Sequence, residues 1–231
     1  MYDKKSFPIF KNNRFGNPIG DIQNYNNRLI VWNYIKTFHS AIKWALEEFS
    51  LFESTKISTF LKNQKKDITI IPMGHASVLI GYRNKFIIFD PIFFSPFWFV
   101  KRYISPIPNY KTLPPIDHVI ISHNHPDHFN KKSIKYLKKK SKGISLHLPL
   151  GMSSCLDNSY KKNEYSWWEE KIISKSNPFI KLTSLPAIHW SQGGLSGKNK
   201  SLWCSWMLQI ENKKIYFAGD TAYWQHFKEI K

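Results

Sequence analysis

The chain has 231 residues, 42% of them hydrophobic and 16% aromatic, which excludes a disordered protein and predicts one packed domain with an N-terminal extension. Its two cysteines, Cys155 and Cys204, are too few for a disulfide framework, and no run of eighteen apolar residues could span a bilayer. We therefore expect a cytoplasmic protein, and the formal net charge of +18 at pH 7 allows peripheral contact with anionic membranes.

The excess of basic residues has two interpretations. Lysines are spread along the whole chain, including residues 138–140 and 161–162, which is typical of a general compositional bias. The alternative is that they attract the protein to an anionic membrane surface. No zinc-finger spacing or other recognition module is present, so the sequence does not predict specific binding to nucleic acid.

The N-terminal part of the chain carries little chemistry. Residues 1–28 are polar and rich in asparagine, and we expect them to wrap the main domain loosely. Apolar residues then recur at helical spacing over residues 29–49, which predicts an amphipathic helix. This helix either packs on the main domain or binds a membrane interface or a partner.

A cluster of large aromatic residues follows in the middle of the chain. Phe97 and Trp98 stand beside two basic residues, Lys101 and Arg102, and prolines at positions 91 and 96 argue against a regular strand or helix. If the segment is buried, it is a lid over the core. If it is exposed near the active site, its aromatic side chains suit acyl chains and its cations suit a phosphate or lipid headgroups.

The most informative segment is residues 122–128, with the sequence Ser-His-Asn-His-Pro-Asp-His. Side chains alternate in an extended segment, so His123 and His125 point the same way and can bind one metal ion. A turn then brings Asp127 and His128 back toward the same place, where they can hold a second ion. Imidazoles with a carboxylate suit zinc, with manganese or iron as alternatives. A solvent-exposed histidine-rich loop is disfavoured, because an apolar run precedes the motif.

The segments around this motif support a metal site. Residues 118–121 are mostly β-branched and predict a buried strand that ends where the candidate ligands begin. After the motif, Asn130 is a candidate N-cap for a helix over residues 131–140, with Ile134 and Leu137 on its inner side. The predicted local order is therefore strand, ligand loop and helix.

Two further candidate ligands follow strand-like runs downstream. Residues 179–185 predict a strand shortly before His189, and residues 213–218 predict another before Gly219 and Asp220. Taken alone, His189 is typical of a structural histidine, and an aspartate after glycine is typical of a turn. A metal site must draw ligands from distant segments, so the first motif favours both residues as ligands.

These residues together resemble the metallo-β-lactamase fold of metal-dependent hydrolases. The resemblance rests on Gly-His-Ala-Ser at 74–77, Asp-Pro at 90–91, the His-x-His-x-Asp-His motif, His189, and Phe-Ala-Gly-Asp-Thr at 217–221. Shorter motifs resemble the branch of N-acylphosphatidylethanolamine-hydrolysing phospholipase D and its bacterial relatives; they lie at 113–117, 149–151, 167–169, 189–190 and 205–206. The resemblance covers about residues 66–231, with a weaker echo at 13–18, and leaves 1–65 as the extension.

The resemblance implies an α+β fold, an αββα four-layer sandwich, with a two-zinc site. One zinc ion would be held by His123, His125 and His189, the other by Asp127 and His128, and both by Asp220. His75 and Asp90 would orient the ligand imidazoles by hydrogen bonds. A hydroxide between the metals would attack a phosphodiester or ester, and Asp127 and Asp220 are the predicted catalytic residues. The implied substrate is an N-acylphosphatidylethanolamine-like phospholipid or another phosphodiester.

This sequence lacks the last metal-binding histidine of the family pattern, which raises an alternative to an active enzyme. The family places a last metal-binding histidine well after the Gly-Asp-Thr motif, but this sequence ends at Lys231, and His226 lies too close to Asp220 for that role. We therefore expect the second half of the fold to be incomplete. The alternative to an active enzyme is an inactive remnant, or half of a split enzyme that needs a partner chain for the missing strands and ligand.

Overall fold

The computed structural model describes residues 5–20, 61–95, 109–192 and 197–230. Two predictions fall outside these ranges and stay predictions: the amphipathic helix at 29–49 and the substrate or membrane contact by Phe97, Trp98, Lys101 and Arg102. No helix in the described part of the chain has both the length and the apolar character needed to cross a bilayer.

The first element is a short hairpin of β1 (Ile9–Lys11) and β2 (Arg14–Gly16). The main domain then begins with a six-stranded sheet in the order β3-β4-β5-β6-β7-β8. Its strands are β3 (Thr69–Pro72), β4 (Val78–Tyr82), β5 (Lys85–Phe89), β6 (His118–Ile120), β7 (Ser145–Pro149) and β8 (Lys161–Tyr165). Strands β3 to β5 are antiparallel, whereas β5 to β8 run parallel.

The parallel strands need crossover connections, and helix α1 (Lys131–Lys140) supplies the one between β6 and β7. The Asn130 side chain caps this helix by accepting a hydrogen bond of 2.9 Å from the Ser133 amide. The bounds and cap of α1 are those predicted from sequence, and the strand predicted before the motif is β6. Both predictions are confirmed.

A second, antiparallel sheet packs against the first. It has the order β12-β11-β10-β9, with β9 (Glu170–Ser174), β10 (Ile180–Leu185), β11 (Ser205–Ile210) and β12 (Lys213–Phe217). Among the described residues, two 3-10 turns lie between strands of the first sheet: Tyr110–Thr112 precedes β6, and Ser153–Cys155 lies between β7 and β8. After β12 the chain enters helix α2 (His226–Glu229). Strands β10 and β12 are the two predicted before His189 and Asp220, which confirms them.

Two hydrophobic cores hold these layers together. On the outer face of the first sheet, Ile134 and Leu137 of α1 are 0% exposed and pack with Val119. Between the sheets, the core contains Ile120 from the first sheet and Trp206 from the second. Because β6 contributes to both cores in alternation, it is buried on both faces, which explains its continuous apolar sequence.

The segment before the main domain is held in place over residues 5–20, which corrects the expectation of a loose wrap there. Phe15 is buried in the core between the sheets, and its amide donates to the Asn199 carbonyl oxygen at 2.8 Å. The Trp168 indole donates to the carbonyl oxygen of Ser6 at 2.7 Å. The hairpin is therefore part of the packed structure and reaches the second sheet.

Candidate metal centre

The candidate ligands gather where strands of both sheets end. Five segments contribute: the turn between β3 and β4 (His75), the end of β5 (Asp90), the loop after β6 (residues 122–128), the segment after β10 (His189) and the segment after β12 (Asp220). Carboxyl ends of parallel strands meet at one edge of a sheet, which is a common place for a site in α/β proteins. The second sheet adds its own ligands to this edge.

Three histidines form the first group. The Nε2 atom of His123 lies 2.8 Å from Nδ1 of His125, and the Nε2 atom of His189 lies 3.1 Å from the same Nδ1. Trp190 covers the group, with its ring 4.2 Å from that of His125 between centroids. Three ring nitrogens from two sheets thus converge on one point.

Hydrogen bonds orient these rings for metal binding. Nδ1 of His123 is 2.9 Å from Oγ of Ser122, which in turn donates to Asp90 Oδ2 at 2.5 Å. Since the hydroxyl proton goes to Asp90, Nδ1 of His123 is the donor and its Nε2 lone pair faces the group. Among the described residues, Nε2 of His125 is buried without a hydrogen-bond partner. The polar contacts of this ring are therefore made by Nδ1, which faces His123 and His189.

Burial keeps the three imidazoles neutral. It lowers the pKa of His125 to about 4. Burial, together with the repulsion that a proton on each of His189 and His125 would cause, lowers the pKa of His189 to about 4. The pKa of His123 lies well below its ordinary value, again chiefly because of burial. Three neutral rings facing one another have few protons to share, so they make a poor hydrogen-bonded cluster and a good set of metal ligands.

A second group lies beside the first, and Asp220 contacts both. Its Oδ1 atom is 3.3 Å from Nε2 of His128, and its Oδ2 atom is 3.7 Å from Nε2 of His189. Asp127 completes the second group, with Oδ2 3.9 Å from Nε2 of His128. One carboxylate oxygen of Asp220 therefore faces each group, as a bridging ligand requires.

A buried hydrogen-bond network centred on Asp90 holds the loop. Asp90 accepts from the Ser122 amide at 2.7 Å, and its Oδ2 lies 2.8 Å from Nδ1 of His128. Burial raises the pKa of Asp90. Burial alone would lower the pKa of His128, but its hydrogen bonds to Asp220 and Asp90 outweigh this and raise that pKa to about 10. Nδ1 contacts Asp90, so Nε2, which faces Asp220, is the nitrogen that a metal would take in place of a proton.

His75 lies beside the second group and contacts one of its carboxylates. The resemblance implied that it orients a ligand imidazole, but its Nε2 lies 3.1 Å from Oδ2 of Asp127, a carboxylate. Burial would raise the pKa of Asp127, but the hydrogen bond from His75 and the charge of His128 outweigh it and hold that pKa at about 2. The role of His75 as a group that orients a ligand imidazole stays a prediction, and the contact described joins it to a candidate carboxylate ligand.

Asn17 is a residue that the sequence analysis did not single out. Its side chain clamps the backbone of His189 from both sides: Nδ2 donates to the His189 carbonyl oxygen at 2.8 Å, and Oδ1 accepts from the His189 amide at 3.2 Å. The faint family echo at 13–18 was the one signal that could have found it. The N-terminal hairpin thus positions a candidate ligand.

The two sheets meet at the ligand loop. The indole of Trp206 donates to the Ile121 carbonyl oxygen at 3.0 Å, and the Cys204 amide donates to the Ser122 carbonyl oxygen at 3.0 Å. Gly219 sits so close to this loop that a Cβ on it would lie 2.8 Å from Cβ of Ser122. We call these contacts the inter-sheet seam; it sets the spacing between the motif of the first sheet and Asp220 of the second.

His226 does not join the cluster. Its Nε2 lies 3.2 Å from Oγ1 of Thr221. In the described ranges, the groups whose ligand atoms lie within 4.8 Å of one another are His123–His125–His189, His75–Asp127–His128 and His123–His128–Asp220. These nitrogen and carboxylate oxygen donors match what zinc and related divalent ions prefer, so the residues fit a metal site.

Two sheets packed face to face, with histidines and carboxylates from both at one edge, define a metal-site protein of the metallo-β-lactamase fold. The family profile described as "Beta-lactamase superfamily domain" matches residues 85–231. The chain belongs to this superfamily.

Relatives place it more closely. It is 32% identical over 171 residues to N-acyl-phosphatidylethanolamine-hydrolyzing phospholipase D 1 of Caenorhabditis elegans, covering 68% of this chain and 48% of that protein. It is 37% identical over 159 residues to the mitochondrial N-acyl-phosphatidylethanolamine-hydrolyzing phospholipase D of Saccharomyces cerevisiae, covering 65% of this chain and 34% of that protein. The chain thus spans half or less of the length of these two relatives.

A solved structure agrees on the fold. Igni18, a metallo hydrolase from Ignicoccus hospitalis, superimposes with a TM-score of 0.56 at 18% identity, covering 71% of this chain and 65% of that one. The predicted fold class and the predicted relation to the phospholipase branch are confirmed. The incomplete second half stays a prediction.

Proposed function

We propose that this chain carries the metal centre of a hydrolase that cleaves a phosphodiester bond in an N-acylphosphatidylethanolamine-like phospholipid. The observation that carries the proposal is the pair of adjacent groups joined by Asp220, three histidines on one side and His128 with Asp127 on the other. The names of the two phospholipase D relatives supply the substrate class.

The residues divide into two shells. His123, His125 and His189 would hold one ion, Asp127 and His128 the other, and Asp220 would bind both. Zinc suits these donors, and manganese or iron are the alternatives. Such a pair of ions supplies a hydroxide at neutral pH and stabilises the charge that develops on the phosphodiester oxygens.

The chain's own groups prepare the site for this chemistry. Asp90 and Ser122 are fully buried and fix the rings of His128 and His123 by hydrogen bonds, which limits rotation of the ligands. Asp127 and Asp220 have side chains 50% and 44% exposed, so these carboxylates face the solvent side from which a substrate approaches. They are the groups placed to accept a proton there.

Hydrolysis of lipid vesicles tests the proposal. Protein loaded with Zn²⁺ is expected to release an N-acylethanolamine and a phosphatidic acid from vesicles that contain N-acylphosphatidylethanolamine. A chelator should stop the release, and added Zn²⁺ or Mn²⁺ should restore it. Bis(p-nitrophenyl) phosphate, measured alongside, reports phosphodiesterase activity that does not depend on the lipid. A folded, metal-loaded chain that cleaves neither substrate would contradict the proposal and favour the remnant or half-enzyme alternative.

We also propose that helix α1 contacts the anionic surface of the membrane that holds the substrate. Six of its ten residues are lysines, and it has no carboxylate; the lysines are Lys131, Lys132, Lys135, Lys138, Lys139 and Lys140. Lys140 donates to the Lys111 carbonyl oxygen and Lys138 to Ser159, whereas Lys131, Lys132, Lys135 and Lys139 are exposed. The helix begins at Lys131, shortly after the ligand motif, so its first turn follows the ligand loop along the chain.

Removing the three exposed charges in the first half of the helix is expected to weaken membrane binding. Each lysine near an anionic surface contributes about 1 kcal/mol, so the triple variant Lys131→Gln, Lys132→Gln, Lys135→Gln should lose about a hundredfold in affinity for vesicles rich in phosphatidylserine. Sedimentation with vesicles at low and high salt measures this.

A matched control separates the helix from the total charge. Lys200→Gln, Lys213→Gln, Lys214→Gln removes the same number of exposed charges elsewhere. If both triple variants lose affinity equally, the helix is not the contact surface, and the general excess of lysine explains the attraction.

A further inference from the structure

The N-terminal segment, residues 5–20, is docked on the main domain at several points, and we call it the strap. Near its start, the Ser6 carbonyl oxygen accepts from the Trp168 indole at 2.7 Å. In the hairpin, the Phe15 side chain is buried in the core between the sheets, and the Phe15 amide donates to the Asn199 carbonyl oxygen at 2.8 Å. Neither partner is a candidate metal ligand, so these contacts dock the strap whether or not a metal is bound.

The strap also holds the backbone of one candidate ligand. His189 lies beyond Leu185, the last residue of β10, so the pairing of β10 in the sheet does not hold its backbone. In the part of the chain that the structure describes, both hydrogen bonds of the His189 backbone go to the side chain of Asn17. A side-chain amide carries a donor and an acceptor side by side, so it can pair with the backbone of one residue as a neighbouring strand would. Asn17 is only 3% exposed, so water does not readily replace it.

A second contact joins the strap to the same segment. Asn199, which accepts from the Phe15 amide, also pairs with Ser191: its amide donates to the Ser191 carbonyl oxygen at 2.8 Å, and its Oδ1 accepts from the Ser191 amide at 3.1 Å. The strap thus reaches His189 directly through Asn17 and the backbone just after it through Asn199. The position of this ligand therefore depends on docking of the strap.

The ring of His189 has to be placed accurately to bind an ion. Its Nε2 lies 3.1 Å from Nδ1 of His125 and 3.7 Å from Oδ2 of Asp220, so it faces the first group and the shared carboxylate. A zinc–nitrogen bond of about 2.0–2.1 Å tolerates a deviation of about 0.2 Å. If the backbone of His189 were loosely held, only a fraction of the molecules would have all three imidazoles in place. The apparent affinity for the ion would fall by that fraction.

We propose that the strap sets the affinity of the first metal ion, with Asn17 as the positioning residue that connects docking of the strap to His189. This inference rests on the proposed function, because it takes the three-histidine site as its starting point. Coupling between two binding events is reciprocal, so the ion stabilises the docked strap by the same factor by which the strap tightens binding of the ion. Release of the strap therefore weakens binding of the ion, which makes the strap a control element of the metal centre.

The isosteric variant Asn17→Asp tests the connection. It removes the donor to the His189 carbonyl oxygen and keeps the acceptor for the His189 amide. We expect it to bind the first ion about 10–100-fold more weakly and the second at unchanged affinity, which is the loss typical of a group that orients a ligand. The added negative charge would by itself attract a cation, so a loss of affinity reports the loss of positioning. Competition with a chelator measures the affinity for Zn²⁺, and the visible absorption of bound Co²⁺ reports the coordination geometry.

Hydrogen exchange measures the reverse effect and needs no variant. In the wild-type chain, amides of the strap, including that of Phe15, should exchange about 10–100-fold more slowly with Zn²⁺ than without it. In Asn17→Asp this slowing should be largely lost, because docking of the strap no longer depends on the ion.

The matched control is Asn13→Asp, which makes the same change in the same strap. Asn13 is exposed in the hairpin turn with a φ of 58°, a conformation that aspartate also tolerates. This control should keep both ions at wild-type affinity, and circular dichroism without metal checks that both variants fold.

Two results would overturn the inference alone. Either Asn17→Asp binds the first ion as tightly as the wild type, or Zn²⁺ leaves hydrogen exchange of the strap unchanged in a wild-type chain that binds it. A folded wild-type chain that binds no zinc would instead contradict the proposed function itself.

Discussion

Asp220→Ala is expected to remove both metal ions and to lower hydrolysis by at least about a thousandfold, because several kcal/mol of transition-state stabilisation depend on the ions. The carboxylate of Asp220 faces His128 with one oxygen and His189 with the other, so neither group keeps its full set of ligands without it. Metal content by elemental analysis and kcat/KM on a phosphodiester measure the two effects.

The matched control for this change is Asp67→Ala. Asp67 is an exposed carboxylate before β3, outside the groups of candidate ligands among the described residues. The Asp67→Ala variant should retain both ions and full activity. If Asp220→Ala kept two ions at wild-type affinity, the bridging role of Asp220 would be wrong.

His123→Ala is expected to abolish binding of the first ion and, with it, activity. His123 is buried, its Nε2 faces the other two histidines, and its Nδ1 contacts Ser122, so no neighbouring group can take its place. The measurements are zinc stoichiometry and hydrolysis under saturating metal, where a reduction of at least about a thousandfold is expected.

Removing any buried imidazole costs some stability, and His118→Ala controls for this. His118 lies on β6, and its Nδ1 is 3.0 Å from Nε2 of His147. Neither histidine belongs to the groups of candidate ligands among the described residues. Its loss should lower the melting temperature but leave two ions bound. If His118→Ala and His123→Ala lost metal equally, the loss would reflect damage to the fold rather than the removal of a ligand.

Local patterns were sufficient to predict the elements that carry the motif. The strand before it, the cap at Asn130 and the helix behind it each depend on residues within a few positions of one another. The same holds for β10 and β12, whose ends place His189 and Asp220. The spacing of the motif also predicted that His123 and His125 face the same point, because alternation in an extended segment is a local rule.

Local sequence patterns could not predict contacts between distant segments. Asn17 clamps His189 across 172 positions, and Trp206 donates to Ile121 across 85. The short motif at 205–206 was noticed through the family resemblance, but its physical reason, an indole that holds the strand before the ligands, appears only in the fold. The direction of the His75 side chain was likewise hidden, because it depends on a left-handed turn and on an anchor to Asp90.

The inter-sheet seam has a consequence for how the domain holds together. The first sheet supplies His123, His125 and His128 to the centre, whereas the second supplies His189 and Asp220. An ion bound between them acts as a cross-link, since the sheets cannot separate without releasing it. Metal that binds only the docked arrangement stabilises that arrangement by its own binding free energy. Loading of the centre and docking of the two sheets are therefore coupled equilibria, with the core between the sheets contributing to docking independently of the metal.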